Sequence, residues 1–132
     1  MTLPKPIQPD GWMKPSGYAH GMSATGRVVV TAGQIGWNPS SGAIDSDDFV
    51  TQAAQALRNV VAVLRADGAG PEHIVRLTWF VVDAGEYMAS RAKLGEAYRE
   101  VMGRHFPAMS VVVVKGLLEP RAKVEIEATG VV

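Results

Sequence analysis

At 132 residues, with 47% hydrophobic and 20% charged positions, the chain has the size and composition of one hydrophobic core, which excludes the disordered class. Thirteen basic residues balance thirteen acidic ones, so the net charge is zero and the basic excess expected of a phosphate-backbone binder is missing. The absence of cysteine excludes disulfides, thiolate metal ligands and a cysteine nucleophile, and fits a reducing compartment.

Residues 1–15, with Pro4, Pro6, Pro9 and Pro15 and no apolar core, read as a proline-rich leader and not as a signal peptide. Tyr18 to Ser23 predicts a weak strand, Ala24-Thr25-Gly26 a turn, and Arg27 to Ala32 a strong strand. Gly33 predicts a bulge or kink before the extended Gln34 to Trp37, and Asn38-Pro39-Ser40-Ser41-Gly42 a loop. Asp47 or Asp48 is placed to cap a first helix whose apolar face is Ala53, Ala56, Leu57, Val60, Val61 and Leu64. Gly68, Gly70 and Pro71 stop it. Ile74 to Val82 predicts a strand, Glu86 to Met102 a second helix ended by Gly103, and Ala108 to Val114 and Lys123 to Val131 the last two strands. The expected order is ββαβαββ in a single domain spanning residues 1–132. No apolar run approaches the roughly 20 residues that cross a bilayer, so the protein is expected to be cytoplasmic and to have no membrane partner.

Val28 to Val30, Phe80 to Val82 and Val111 to Val114 are apolar on both alternating faces. Antiparallel sheets in monomers leave one face polar, and two helices cover only one face, so another subunit is the expected cover for the other. Dinucleotide, P-loop and nucleophile-elbow motifs are absent. His20, His73 and His105 show no paired ligand spacing, and the last two fall at element ends, where a capping or solvated histidine is the plain reading. No metal or other cofactor is expected.

In Lys123-Val124-Glu125-Ile126-Glu127-Ala128, period-two alternation puts Val124, Ile126 and Ala128 on one face and both glutamates on the other. A solvated outer face explains such a pattern by itself. The preceding strand is apolar on both faces, however, and a carboxylate enclosed beside it could move protons near neutral pH.

Three segments together resemble the RidA family, also called YjgF or L-PSP: Val30-Thr31-Ala32-Gly33-Gln34-Ile35 with Asn38-Pro39-x-x-Gly42, Phe106-Pro107-Ala108-x-Ser110, and Val124-Glu125-Ile126-Glu127-Ala128. Gly17-Tyr18 and Gln55-Ala56-Leu57-x-Asn59-Val60 match as well. The resemblance implies a chorismate-mutase-like α+β fold, with a mixed sheet, two helices on one face and a trimeric barrel core. It implies a homotrimer with a small-molecule ligand in clefts between subunits. It also implies cofactor-free hydrolysis of reactive enamines and imines, such as 2-aminoacrylate, to 2-oxo acids and ammonia.

Carried over residue by residue, the resemblance makes Glu125 the holder of the attacking water and Tyr18 its catalytic companion in the cleft. Gly33, Ala32, Met109 and Ser110 then form the substrate-binding set, to which His20 is added from its spacing to Tyr18. Two positions depart from the pattern. Met109 stands where deaminating members carry the arginine that grips the substrate carboxylate, and a thioether cannot replace a guanidinium fork. Ala32 replaces a common serine. His20, two residues from Tyr18 on an extended segment, faces the same way and is one substitute anion partner; Arg76, Arg104, Lys115 and Arg121 are others. The leading reading is therefore a RidA-like enamine or imine hydrolase of altered specificity. A non-catalytic trimeric ligand binder ranks second. An endoribonuclease or translation inhibitor ranks third, because the charge balance argues against nucleic acid.

Overall fold

The computed structural model describes residues 2–132; the leader's first residue lies outside the described residues. In chain order the elements are β1 (Lys5–Ile7), β2 (Gly21–Ser23), β3 (Val28–Val30), β4 (Gln34–Ile35), α1 (Phe49–Arg65), a 3-10 turn (Pro71–His73), β5 (Ile74–Val81), α2 (Ala84–Ala89), α3 (Arg91–Met102), β6 (Ala108–Val113) and β7 (Val124–Val131).

α1 forms where its period and cap agree. The Asp48 carboxylate accepts from the Thr51 N–H at 2.9 Å and from the Thr51 hydroxyl at 2.8 Å, which satisfies an orphan donor of the first turn. Those hydrogen bonds hold the Asp48 carboxyl below the usual carboxylate range. All six apolar positions read from its sequence are buried. Leu57, at 1% exposure, is typical of sites where truncation to alanine costs about 2–5 kcal/mol.

Three expectations need correcting. The leader contains a strand: Lys5, Pro6 and Ile7 pair antiparallel with Ser23, Met22 and Gly21. Pro6 is tolerated there because the ribbon is an edge that needs no donor from it. The strand expected from Tyr18 begins only at Gly21, and Ala19 instead makes an isolated parallel bridge to Ala108. The second helix is two helices, making three α-helices among the described residues. Asp83 caps α2 by accepting from the Glu86 N–H at 3.0 Å, and Ser90 (φ −99°, ψ 2°) leaves the helical region and separates α2 from α3. The break at Gly33 appears as expected, dividing β3 from β4 while both stay paired with β7.

The main sheet runs β3-β7-β5-β6, with β4 also on β7. It is mixed: β5 and β6 are parallel, joined by a crossover through α2 and α3, and the remaining pairs are antiparallel. Leu77, Trp79, Val81, Val124, Ile126 and Ala128 turn toward the helices and form the core with α1 and α3. Cross-strand partners point to the same side, so Phe80 and Glu125, Thr78 and Glu127 occupy the opposite, outer face. That face includes Val28 and Val30, 63% and 65% exposed.

Two buried amides of α1 hold neighbouring segments, Asn59 the end of β4 and Gln52 the chain before α1 and before β7. The Asn59 Nδ2 donates to the carbonyls of Ile35 (3.2 Å) and Trp37 (3.0 Å). The Gln52 Nε2 donates to the Ser46 and Arg121 carbonyls, while its Oε1 accepts from the Lys123 N–H at 2.8 Å. Gly36 lies so close that a Cβ there would stand 2.6 Å from the Gln52 Cα. Thr31 adds a clip to β7, its hydroxyl accepting from the Ala128 N–H at 3.0 Å.

Candidate functional site

The residues picked from sequence fall into two groups, one on each face of the sheet. On the outer face, β7 presents Glu125 opposite Ile35 of β4 and Phe80 of β5. Its carboxylate lies over Gly33: a Cβ built there would be 2.5 Å from Glu125 Oε2. Glycine at 33 is what permits this approach. The half-buried carboxylate makes no hydrogen bond or ion pair among the described residues, so it stays available as a base or acceptor. Ala32 is exposed beside it, and its carbonyl accepts from Gln34 Nε2 at 3.4 Å. Ser110, opposite Thr78, belongs to this face too.

On the helix face, Met109 pairs with Leu77 and borders an open cavity of about 870 Å³. Tyr18, Trp79, Tyr87, Tyr98 and Phe106 give the cavity an aromatic lining. Tyr98 and Phe106 stack with centroids 5.4 Å apart and planes at 14°. The Tyr98 hydroxyl donates to the His105 carbonyl at 2.6 Å, and burial pushes its phenol well above the usual range, so it stays protonated. The Trp79 indole N–H is buried and finds no acceptor among the described residues. Two cations, Arg91 and Arg99, line the same cavity from α3.

His20 meets the Tyr18 ring edge-on at 5.5 Å. Trp12 meets His20 edge-on in turn, at 5.0 Å. His20 stands beside the cavity and does not line it. Arg121, another proposed anion partner, is committed elsewhere: its Nη2 donates to Asp47 at 2.9 Å and its Nη1 to the Ile44 carbonyl at 2.7 Å. Arg76 falls on the outer face, paired with Ala108 and Thr129. His73 Nδ1 accepts from the Gly70 N–H at 2.9 Å, the capping role read from its position. Among the described residues no three His, Asp or Glu side chains gather as a metal site, and no helix is long and apolar enough to cross a membrane.

Sequence reasoning missed Arg91 and Arg99. Their signal was an arginine pair eight residues apart with Gly95 midway, a spacing that resembles an ordinary solvated helix face.

The family model described as Endoribonuclease L-PSP matches residues 13–132. The chain belongs to the RidA/YjgF/L-PSP family. A 2-iminobutanoate/2-iminopropanoate deaminase of Salmonella typhimurium is 39% identical over 106 residues, covering 80% of each chain. The Rid-family protein YyfB of Yersinia pestis superposes with a TM-score of 0.86 at 32% identity, over 99% of this chain and 100% of that one. The YjgF gene product of Escherichia coli superposes with a TM-score of 0.71 at 36% identity, over 86% and 87%. In this RidA-family chain, Glu125 and Gly33 lie on one sheet face and Tyr18 and Met109 on the other. One copy therefore does not bring the two groups together.

Proposed function

We propose that the protein is an imine or enamine deaminase of altered specificity, whose site forms between copies of a homotrimer. The carrying observation is the Glu125 carboxylate, held over Gly33 and engaged by no other side chain among the described residues. A cleft in which the outer face of one copy meets the helix-face cavity of the next would unite the separated groups. The exposed Val28 and Val30 of the outer face favour such a contact. The deaminase name of the Salmonella relative supports the reaction class.

In this mechanism Glu125 takes a proton from water as the water oxygen bonds to the iminium carbon and the C=N electron pair moves to nitrogen. The proton passes from Glu125 to that nitrogen. The C–N bond then breaks, the hydroxyl closes to a carbonyl, and its proton leaves with ammonia as ammonium. The products are a 2-oxo compound and ammonium, with no redox change. General-base catalysis of this kind contributes about 10²–10⁴-fold.

The test generates imines in situ with an amino-acid oxidase and follows the release of 2-oxo acid. The wild type should exceed background, Glu125→Gln should lose at least a hundredfold, and light scattering should give three times the chain mass. Binding without catalysis is the second reading, favoured by Met109 where the arginine clamp is expected. A wild-type rate equal to background, with ligand still bound, would establish it.

A further inference from the structure

We propose that the substrate is an aromatic 2-imino acid, whose carboxylate is held by Arg99 and Arg91 of α3 and whose ring lies on the apolar floor around Trp79 and Met109. This rests on the deaminase reading and names its substrate class. Arg91, Gly95 and Arg99 follow at four-residue steps and so share one stripe of the helix. Both arginines line the cavity, and neither guanidinium has an ion-pair or hydrogen-bond partner among the described residues. Glycine inside a helix is destabilising relative to alanine, so Gly95 needs a reason. A Cβ there would lie 3.2 Å from Arg99 Nη1, and its absence lets the guanidinium lie close along the helix. A guanidinium fork matches a carboxylate bidentately, which methionine at 109 cannot do. The clamp thus comes from the helix side of the cavity and not from β6.

Moving the clamp off the strand leaves the floor apolar. In a single copy the open cavity is about 870 Å³, within the range that takes drug-sized ligands, before the next copy's outer face covers it. The stacked Tyr98 and Phe106, with Tyr18 and Tyr87, offer faces and edges for a further ring.

Phenylpyruvate and pyruvate serve as stable probes, titrated calorimetrically into the intact protein. Phenylpyruvate should bind at least tenfold more tightly. Arg99→Gln should weaken it by about tenfold to a hundredfold, the size of a lost charge-assisted contact. Arg99→Lys should fall between, keeping the charge without the fork, and the Arg91→Gln/Arg99→Gln double variant should weaken both probes further while phenylpyruvate stays the tighter of the two. Both side chains are exposed, so these substitutions spare the core. Equal affinity for the two probes, or phenylpyruvate binding unchanged in the double variant, would overturn the proposal. Arginine-dependent binding with no imine hydrolysis would keep this site and overturn the deaminase reading. Hydrolysis of the alanine-derived imine, with phenylpyruvate binding indifferent to both arginines, would do the reverse.

Discussion

Gly33 and Glu125 meet across β4 and β7, and one added methyl turns that contact into a collision. In Gly33→Ala the new Cβ would fall 2.5 Å from Glu125 Oε2, 2.7 Å from its Cδ and 2.8 Å from its Cγ. Ordinary contact begins at 3.4 Å, so the carboxylate oxygen must retreat by 3.4 − 2.5, or 0.9 Å. It is free to do so, because nothing else among the described residues holds it. Gly33 is not among the glycines with positive φ, so alanine fits the backbone without strain. A reacting group misplaced by about 1 Å costs on the order of a hundredfold in rate. The expected phenotype is therefore a kcat/KM for imine hydrolysis lowered about a hundredfold, with a melting temperature at or slightly above wild type, since Gly→Ala at a compatible site stabilises by about 0.4–1 kcal/mol. Gly36→Ala is the contrasting control. Its Cβ would meet the Gln52 Cα at 2.6 Å and carbonyl oxygen at 2.7 Å, backbone atoms of α1 that cannot swing aside, so stability should fall by at least about 1–3 kcal/mol. The coupled assay and thermal melts on both variants decide the matter. Gly33→Ala hydrolysing within about threefold of wild type, while Glu125→Gln is inactive, would refute the placement of the carboxylate.

Asn59→Leu should destabilise the protein by about 2 kcal/mol in urea titrations, because it strips the donor from the buried-side carbonyls of Ile35 and Trp37. Asp48→Ala should cost about 1 kcal/mol as a lost helix cap. Because its carboxyl is held below 3.8, the stabilisation from Asp48 should be complete above about pH 4 and fade as pH falls through the lowered folded value, and Asp48→Asn melts should lack that component. Met109→Arg should raise kcat/KM for the alanine-derived imine about tenfold, short of the hundredfold limit for a charged contact because Arg91 and Arg99 already make the cavity positive. The same assay with the phenylalanine-derived imine should show its advantage shrinking.

Local pattern settled much of this protein from the sequence. The i, i+3, i+4 spacing from Ala53 to Leu64 and the cap at Asp48 determined α1, because helix periodicity and capping act over a few residues. Alternation in Val124–Ala128 put Glu125 on the face away from the core for the same reason, and a glycine inside a strand pattern marked the break at Gly33. Tyr18 and His20 are in ring contact, but the strand begins only at Gly21 and Tyr18 alone of the two lines the cavity. What remained hidden depended on partners distant in the chain. The proline-rich leader becomes β1 only because Gly21–Ser23 is there to pair with it. The second helix divides at Ser90, although helical spacing continues through that position. The register Leu77↔Met109 against Phe80↔Glu125 puts two expected site residues on opposite faces, and no spacing within a single strand encodes it. Arg91 and Arg99 read as a solvated stripe until α3 is laid beside Tyr18, Trp79 and Phe106. Secondary structure follows from neighbours in sequence, whereas a cavity is made by side chains that only packing brings together.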